Sequence, residues 1–466
     1  MQAAPVLESL WRSASMPESR LDSLSLTGAD PVLPSSFAVG TAAQASMAAA
    51  ALAALEIGSL RGAPPQQVSV DMREAALECC GHFTLDGRAP DIWDKIAGLY
   101  ACGANGERGW VRLHTNFAHH RDGVLTLLGL PTGPGTAREA VAQALRAWSA
   151  TDFEQAAADA RLVVAAVRSF EEWDEHPHAP VIAVQPLVSI ERIGDASPLA
   201  WPALPVGAQS LRGIRVLDLT RILAGPVCGR TLAAYGADVM LVNSPHLPNI
   251  ESIAETSRGK LSVHIDLREA RGLADLQRLV RDAHVFVQGY RPGGLDKLGF
   301  GPTALAQARP GIVCVSLSAY GDSGPWAGKR GFDSLVQTAT GFNHAEAQAA
   351  GSMQPKALPM QVLDYATGFL MAFGAQAALR RQSLEGGSWH VRVCLARTAL
   401  WLRSMGRVAD GFAAPQASFE GMTEEYDSGF GKLVALRHAP KFSRTPAHWL
   451  RRSMPPGSHP PVWPAN

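Results

Sequence analysis

The sequence lacks an excess of either charge and lacks cysteines at metal-binding spacing. Its 466 residues carry 42 Lys and Arg against 42 Asp and Glu, so the formal net charge is zero. This balance argues against the basic surface on which nucleic-acid binding depends, and we expect no nucleic-acid partner. The six cysteines show no C-x-x-C spacing, which argues against a zinc site and a disulfide framework. We therefore expect reduced thiols and no metal.

Long hydrophobic runs are scarce as well. The N-terminus lacks the continuous apolar core of a signal peptide. The two most apolar stretches, residues 42–55 and 367–379, are shorter than the roughly 20 residues that span a bilayer. We expect both to be buried helices, in a cytoplasmic protein with no membrane partner.

The composition that is present is that of an ordinary globular protein, with 47% apolar and 18% charged residues. The length corresponds to two or three domains. We expect the C-terminal tail, which is rich in Pro and basic residues, to be loop-like and to wrap the surface or contact a subunit. The predicted segments are an N-terminal arm (1–36), a region with a small α+β domain at about 90–180 (37–205), an α/β domain (206–410) and the tail (411–466).

From Leu211 onward, short apolar strands alternate with helices of about ten residues. The strands are predicted at RGIRVLDLT, DVMLVNSP, SVHIDL, HVFVQGY and IVCVSLSAYG. This alternation predicts an α/β fold with a Rossmann-like, doubly wound parallel sheet, in which ligands bind outside the carboxyl ends of the strands. Neither GxGxxG nor GxxxxGK[ST] occurs, so no dinucleotide fingerprint and no P-loop is predicted.

Cationic and aromatic residues lie in the turns beside these strands. A single Arg in a loop is usually just solvated, but together these residues would form a cationic rim with an aromatic side chain. Such a rim suits a ligand with phosphates and a planar base. The residues are Arg221, Arg258, Lys260, Tyr290, Arg291, Lys297 and Tyr320.

One carboxylate stands out in the stretch from Lys356 to Arg381. An apolar, strand-like run is predicted to end at Asp364, and a helix rich in small and apolar residues follows. The free amides and the dipole of a helix start favour an anion there. Taken alone, Asp364 also fits a simple helix N-cap. Asp333, at another predicted helix start, is either a cap or a second polar group of a substrate site.

A similar pattern occurs near the N-terminus, about 320 residues earlier. Both copies read as a turn, a long small-residue helix, a loop with Gly or Pro, a Val-rich strand and a helix. Gly40-Thr41 in the first copy stands where the second copy has Leu363-Asp364. Only the second copy can therefore use a carboxylate.

Together these motifs resemble the family III (CaiB/BaiF-type) CoA transferases, which also include 2-methylacyl-CoA racemases. The resemblance covers Leu211 to Met405, through LRGIRVLDLTRILAGPVCGRTLAAYGADVMLV, SRGKLSVHIDL, YRPGGLDKLGFG, VCVSLSAYGDSGP and LDYATGFLMAFGAQAAL. It implies that Asp364 is the catalytic nucleophile and that residues 206–410 bind coenzyme A. With Arg221 of the cationic rim, the implied CoA-binding residues are Leu223, Ala224, Arg258, Gly259, Lys260, Tyr290, Arg291, Lys297, Ala319, Tyr320 and Gly321.

The resemblance implies an acyl-CoA transferase that moves CoA from an acyl-CoA donor to a carboxylic acid acceptor. Aspartyl-anhydride and aspartyl-CoA intermediates and a homodimer are implied with it. We expect the helix start to hold Asp364 ionised at neutral pH, as a nucleophile requires. Residues 37–205 resemble the distal half of the family, so the usual domain order is rearranged and partly duplicated. Whether this region completes the fold within one subunit stays open.

Three departures from the family pattern leave alternatives. Asn243-Ser244-Pro245 stands where an acidic residue and basic residues are common, and Lys260-Leu261-Ser262 replaces Lys-Arg-Ser. These lost charges favour a degenerate CoA-binding protein without activity. Gly331-Phe332-Asp333 replaces the Gly-His-Asp of the racemases, and without that histidine a two-base proton exchange is disfavoured. A racemase-like enzyme and a non-catalytic CoA-binding protein are therefore the alternatives to a transferase.

Overall fold

The computed structural model describes residues 3–464 of the chain, which form helices and strands. The helices, α1 to α16 in chain order, are Ala3–Ser13, Val39–Leu60, Met72–Glu78, Ala118–Leu127, Arg138–Leu145, Ala150–Asp159, Phe170–Asp174, Ala179–Ala183, Ala224–Ala234, Ile253–Thr256, Ala270–Val280, Pro302–Ala308, Asp333–Ala339, Phe342–Ala349, Val362–Glu385 and Leu395–Ser404. The strands, β1 to β16, are Leu24–Thr27, Val68–Asp71, Phe83–Leu85, Gly98–Ala101, Trp110–Leu113, Val164–Ala166, Ser189–Gly194, Arg215–Leu219, Asp238–Asn243, Lys260–His264, Val285–Gln288, Val313–Ser318, Ser388–Cys394, Thr423–Ser428, Gly431–Leu436 and Lys441–Phe442.

A seven-stranded sheet forms the centre, in the order β10-β9-β8-β11-β12-β13-β7. Its first six strands are parallel, and β7 pairs antiparallel with β13 at the edge. Counted from β8, the parallel strands follow the order 3-2-1-4-5-6 of a Rossmann sheet, which confirms the predicted fold class. The order reverses between β8 and β11, and ligands bind at the carboxyl side of such a switch point.

Successive strand residues point to opposite faces of the sheet, and both faces are covered. Val216 packs on one side with α9 and α15, while Leu217 packs on the other with α11 and α12. Helix α15 lies beside α9 and against α2. At Gly368 a Cβ atom would lie 2.5 Å from the carbonyl oxygen of Ala224. Glycine at this position therefore allows α15 to approach the start of α9 closely.

The two long helices correct one prediction and confirm another. Helix α2 has 22 residues and α15 has 24, so both are long and apolar enough to cross a membrane by length and composition. The expectation that these stretches are too short is therefore wrong. Their most apolar windows are 89% and 100% buried inside the protein, as the core helices of a globular protein are.

Within the described residues, the segments near both termini contain more helix and strand than the sequence indicates. Helix α1 buries Leu7 and Trp11 in the main core, and β1 pairs with β2, so residues 1–36 are not merely a surface arm. The tail forms β14, β15 and β16 instead of loop alone, and β15 and β16 pair with β3 and β2. Residues 37–205 also contact the large sheet and its helices within this chain, since β7 pairs with β13 and α2 packs against α15.

A buried charge cluster joins these parts of the chain. Glu78 of α3 accepts hydrogen bonds from Arg230 of α9 at 2.8 Å, from His438 of the tail at 3.0 Å and from the Ala439 amide at 2.9 Å. Burial by itself raises the pKa of Glu78, but His438, Arg230 and that amide together lower it to about 2. The cluster therefore fastens the tail to both halves of the molecule through an ionised carboxylate.

A small α+β unit has its own core between residues 96 and 166. Strands β4, β5 and β6 form an antiparallel sheet, and α4, α5 and α6 lie with it. The domain bounds of about 90–180 stay a prediction.

The internal repeat is visible at the starts of the two long helices. Gly40 and Thr41 occupy the second and third positions of α2, as Leu363 and Asp364 do in α15. Gly40-Thr41 is therefore not the predicted turn. The carboxylate of Asp30 accepts from the Gly40 and Thr41 amides at 3.0 and 2.8 Å. An upstream aspartate also holds the start of α15.

Candidate active site

Asp364 lies in the first turn of α15 and in the wall of a cavity of about 410 Å³. The predicted strand before it does not form, since residues 351–361 are turn and loop. Gln361 occupies the N-cap position, so Asp364 is not the cap. The residue is 8% exposed, and within residues 3–464 its carboxyl accepts no side-chain or backbone hydrogen bond. The group is thus held at the cavity without a protein partner for its oxygens.

Asp333 is the aspartate that holds the start of α15. Its Oδ2 accepts the Asp364 amide at 2.9 Å, and the Leu363 amide also interacts with it. Its Oδ1 accepts from the side chain of Gln337, and the oxygen of Gln337 in turn accepts the Leu358 amide at 3.0 Å. Although Asp333 begins α13, it caps α15 rather than its own helix.

The two aspartates control each other's ionisation. Burial raises the pKa of Asp333 to about 6. Burial and then the charge of Asp333 raise the pKa of Asp364 well above its usual range. The pair therefore resists a second ionisation. The expectation that the helix start holds Asp364 ionised is wrong, because the favourable amides are taken by Asp333.

The loop after β8 forms the opposite wall of the cavity. Ile222 has a φ of 77°, a conformation that is unfavourable for a β-branched side chain and marks stored strain. The sequence offered no signal for it. Lys260, buried at the start of β10, donates to Asp218 and to the Pro226 carbonyl, both at 2.8 Å. This buried ion pair fastens the start of α9 and so the strained loop.

The structure brings seven predicted site residues together around this cavity. They come from the carboxyl ends of β8, β11 and β12 and from the start of α15, which is the ligand side of the sheet. The residues are Arg221, Leu223, Ala224, Tyr290, Arg291, Ala319 and Asp364.

Three predicted CoA contacts are buried away from the cavity. Arg258 is 2% exposed, pairs with Glu255, donates to the Leu436 carbonyl and lies 3.9 Å from the centre of the Trp449 ring. Gly259 packs on the same ring, and Lys260 pairs with Asp218. Their charges are satisfied inside the protein, so they stabilise the fold and do not contact a ligand in this cavity.

The remaining predicted contacts also lie elsewhere. Lys297 is exposed on a short 3₁₀ helix, Asp296–Leu298, outside the cavity wall. Tyr320 is buried with its ring 5.0 Å from that of Trp326, and its backbone carbonyl is 2.7 Å from His178 Nε2. It is therefore a core residue, not a stacking platform. Gly321 borders a neighbouring cavity of about 330 Å³.

Sequence reasoning missed the contribution of the small α+β unit and of the loop before α13. Phe117, His119 and His120 line the cavity, as do Lys329 and Arg330. His120 Nε2 lies 3.0 Å from Arg330. Burial and the nearby charges of His119 and Arg330 lower the pKa of His120 to about 3, so its imidazole is neutral at pH 7. The adjacent histidines in NFAHHRDG were the only sequence signal, and nothing in their spacing connected them to Asp364.

Metal chemistry has no side-chain cluster to support it here. Within the described residues no group of three or more His, Cys, Asp or Glu side chains is arranged to hold a metal ion. All six cysteines are free thiols.

Parts of the chain are similar to known proteins. Residues 211–406 match the family model described as CoA-transferase family III. An acyl-CoA transferase of Gibberella moniliformis is 30% identical over 376 residues, covering 72% of this chain and 65% of that protein. A probable fatty acyl-CoA transferase of Mycobacterium tuberculosis is 32% identical over 211 residues, covering 42% and 53%. A succinate–glutarate CoA-transferase of Agrobacterium fabrum is 33% identical over 211 residues, covering 41% and 52%.

A solved structure of a CaiB/BaiF family protein from Brucella suis is 25% identical and covers 48% of this chain and 65% of that chain, with a TM-score of 0.37. The chain spans 65%, 53% and 52% of the length of these three curated relatives. Residues 211–406, less than half of the chain, are therefore similar to CoA-transferase family III.

Proposed function

We propose that the protein is an acyl-CoA transferase, which moves coenzyme A from an acyl-CoA donor to a carboxylic acid acceptor. The observation that carries this proposal is the position of the Asp364 carboxyl, in a cavity walled by strand-end loops of the Rossmann sheet. Its relatives are named as CoA transferases, including one for succinate and glutarate and another for formyl-CoA and oxalate. We also propose a homodimer in the cytoplasm, which sedimentation velocity and cell fractionation would test.

In the first half of the proposed reaction, the Asp364 carboxylate attacks the thioester carbonyl of the donor. The carbon–sulfur bond breaks, which leaves an aspartyl–acyl anhydride and CoA thiolate. The thiolate then attacks the side-chain carbonyl of Asp364, and the donor acid leaves as its carboxylate. An aspartyl-CoA thioester remains. Covalent catalysis of this kind divides one difficult exchange into steps between similarly activated acyl groups.

The second half repeats these steps with the acceptor. The acceptor carboxylate attacks the aspartyl-CoA carbonyl and expels the thiolate, giving a new anhydride. The thiolate attacks the acceptor's acyl carbonyl, and the new acyl-CoA leaves while Asp364 recovers its carboxylate.

The surrounding residues have roles that follow from their contacts. Arg221, Arg291 and Arg330 supply positive charge for the CoA phosphates and the acid. Asp333 fixes the first turn of α15 and so the position of Asp364. Because the aspartate pair binds a proton tightly, we propose that activity rises with pH as Asp364 loses that proton.

Replacing the nucleophile tests the proposal. Asp364→Ala is expected to bind CoA and to lose acyl-CoA exchange, measured by mass spectrometry of a donor–acceptor screen. Thr41→Ala is the matched control, since Thr41 occupies the same helix position in α2 and is expected to retain exchange. Hydroxylamine should trap Asp364 in the wild-type protein during incubation with acyl-CoA. Exchange by Asp364→Ala would exclude Asp364 as the nucleophile, and a protein that binds acyl-CoA without any trapping or exchange would be a non-catalytic binder.

One observation favours a second candidate, a racemase-like proton exchange next to the thioester. The Gly-His-Asp histidine is missing, but His119 and His120 reach the same cavity from the small α+β unit. A neutral imidazole and a carboxyl in one cavity form a possible acid–base pair. Uptake of deuterium from solvent at the acyl α-carbon, without CoA exchange, would support this candidate over the transferase.

A further inference from the structure

The loop between β12 and α13, residues 319–332, forms one wall of the cavity that contains Asp364. The loop consists of bends and turns without helix or strand, so its shape depends on contacts with the rest of the chain. Ala319 and Ala327 line the cavity from this loop. Between them lies the segment 320–326, which we call the glycine turn. The contacts that hold the glycine turn therefore decide where these two alanines stand in the wall.

A single histidine binds the glycine turn at both of its ends. His178, at the N-cap of α8, is fully buried. Its Nε2 lies 2.7 Å from the carbonyl oxygen of Tyr320, and its Nδ1 accepts the amide of Trp326 at 3.2 Å. A backbone amide only donates, so Nδ1 carries no proton and Nε2 donates to Tyr320. Burial lowers the pKa of His178, which agrees with a neutral ring at pH 7.

The glycine turn closes tightly around this imidazole. Gly324 has a φ of 81°, in the region that favours glycine. A Cβ atom at Gly324 would lie 3.1 Å from Nδ1 of His178 and 2.9 Å from Cγ2 of Val181. The rings of Tyr320 and Trp326 surround the same imidazole, with their centres 6.2 and 5.9 Å from its centre. The histidine therefore fills the inside of the turn and also binds its backbone.

Other contacts hold the two ends of the loop. The carbonyl of Ala319 accepts the Ala396 amide at 2.9 Å. At the other end, Asp333 is bound by Gln337 inside α13. Loss of the histidine contacts would therefore displace Ala327 most, and would leave the start of α15 in place.

We propose that His178 is a positioning residue for the candidate active site, because its imidazole holds the glycine turn in the shape that places Ala327 in the cavity wall. His178 does not itself line the cavity. It is 142 and 148 residues from its partners Tyr320 and Trp326 in the chain, and no sequence motif pointed to it. A displaced wall changes how well a ligand fits and is oriented. That acyl-CoA occupies this cavity rests on the proposed function.

Three substitutions separate the two contacts of the imidazole. His178→Asn keeps an acceptor near Nδ1 for the Trp326 amide and loses the donor. His178→Gln keeps a donor near Nε2 for the Tyr320 carbonyl and loses the acceptor. His178→Phe keeps a planar ring and loses both contacts. His284→Phe is the matched control, since Nδ1 of His284 accepts the Arg215 amide at 2.9 Å at the amino end of β8, away from the cavity.

His178→Gln and His178→Phe are expected to raise KM for the acyl-CoA about tenfold, because the Trp326 amide loses its acceptor, and to change kcat less than about twofold. His178→Asn should raise KM less than about threefold. His284→Phe should lower the melting temperature and leave KM unchanged. Lower melting temperatures with unchanged KM in all three His178 variants would show a purely structural role and overturn the proposal. A fall in kcat at constant KM, or equal changes in His178→Asn and His178→Gln, would overturn it as well.

Deuterium uptake tests the same contact without catalysis. Peptides from the glycine turn should take up deuterium faster in His178→Gln than in the wild type, and those from α13 should not. Titration calorimetry with coenzyme A should show binding weakened about tenfold in this variant. If His178→Phe fails to fold, the comparison of His178→Gln with His178→Asn decides the outcome.

These measurements separate the role of His178 from the proposed function. Faster deuterium uptake and weaker CoA binding in His178→Gln, in a protein without CoA exchange, would support the role of His178 and reject the transferase. CoA exchange by the wild type with neither change in His178→Gln would reject the role of His178 and keep the transferase.

Discussion

Replacing Asp333 by asparagine tests how the paired aspartates control stability and reactivity. The ionised Asp333 is buried, and its pKa is raised from 3.8 to about 6. Each pKa unit corresponds to about 1.4 kcal/mol, so ionising Asp333 costs the folded state about 3 kcal/mol. The pKa of Asp333 is higher in the folded than in the unfolded state. The folded state is therefore more stable by this amount below pH 4, where Asp333 is protonated, and loses that stability as the pH rises through 6.

Asparagine removes this cost but adds another. Asp333 uses both oxygens as acceptors, for Gln337 and for the Asp364 amide, whereas asparagine has only one. Gln337 cannot reverse its amide without losing the Leu358 hydrogen bond. A buried donor left unpaired costs about 1–3 kcal/mol. Asp333→Asn should therefore be less stable than the wild type by that amount at pH 4, and the deficit should shrink or vanish at pH 8.

The assays are thermal and urea unfolding and kcat/KM for CoA exchange, each from pH 4 to 8. Without the charge of Asp333, the pKa of Asp364 falls, so the acidic limb of the activity profile should move to lower pH. Asp30→Asn is the matched control: it weakens the same cap on α2, where Thr41 replaces the nucleophile, and should leave the activity profile unchanged. A stability difference between Asp333→Asn and the wild type that is constant across this pH range would refute the reasoning.

Three further predictions concern the supports of the site. Ile222 has a φ of 77°, and Ile222→Gly should remove about 1–3 kcal/mol of backbone strain. The melting temperature should therefore rise. The kcat/KM should fall, because the loop after β8 becomes more flexible. Glu78→Gln should lower the free energy of unfolding by about 3 kcal/mol at pH 7, because the pKa of Glu78 in the folded state is about 2 and its usual value is 4.5. Urea titrations should show that this loss shrinks as the pH falls from 4.5 towards 2. Lys260→Met should lower stability by about 3–5 kcal/mol, because Asp218 loses its buried partner, and Asp218→Asn in the same chain should restore part of the loss.

The large sheet was predictable because its information is local. Each strand from Arg215 to Ser318 is a short apolar run bounded by turn residues, and the alternation with helices admits few topologies. Helix α12 begins at Pro302, since proline is favoured in the first turn of a helix. The tail was harder, since β15 and β16 are stabilised by strands more than 300 residues earlier, and such pairing leaves little local signal.

The candidate site also has a part that the sequence predicted and a part that only the fold shows. Motif order in the sequence pointed to Asp364 and to the loops after β8, β11 and β12, which the fold gathers at one cavity. The motifs did not show that Arg221 faces the cavity whereas Arg258 and Lys260 are buried in ion pairs. Basic residues of both kinds occur in similar turns. Only the fold shows that Arg258 and Lys260 are satisfied internally.

By itself, then, the sequence determined the α/β class, the Rossmann-like parallel sheet and the position of one carboxylate at a helix start. The tertiary structure decided the state of that carboxylate. Asp333 is 31 residues away in the chain, yet it takes the helix amides and raises the pKa of Asp364. Ionisation depends on burial and on neighbouring charges within a few ångströms, and those neighbours are assembled only when α13, α15 and the small α+β unit pack together.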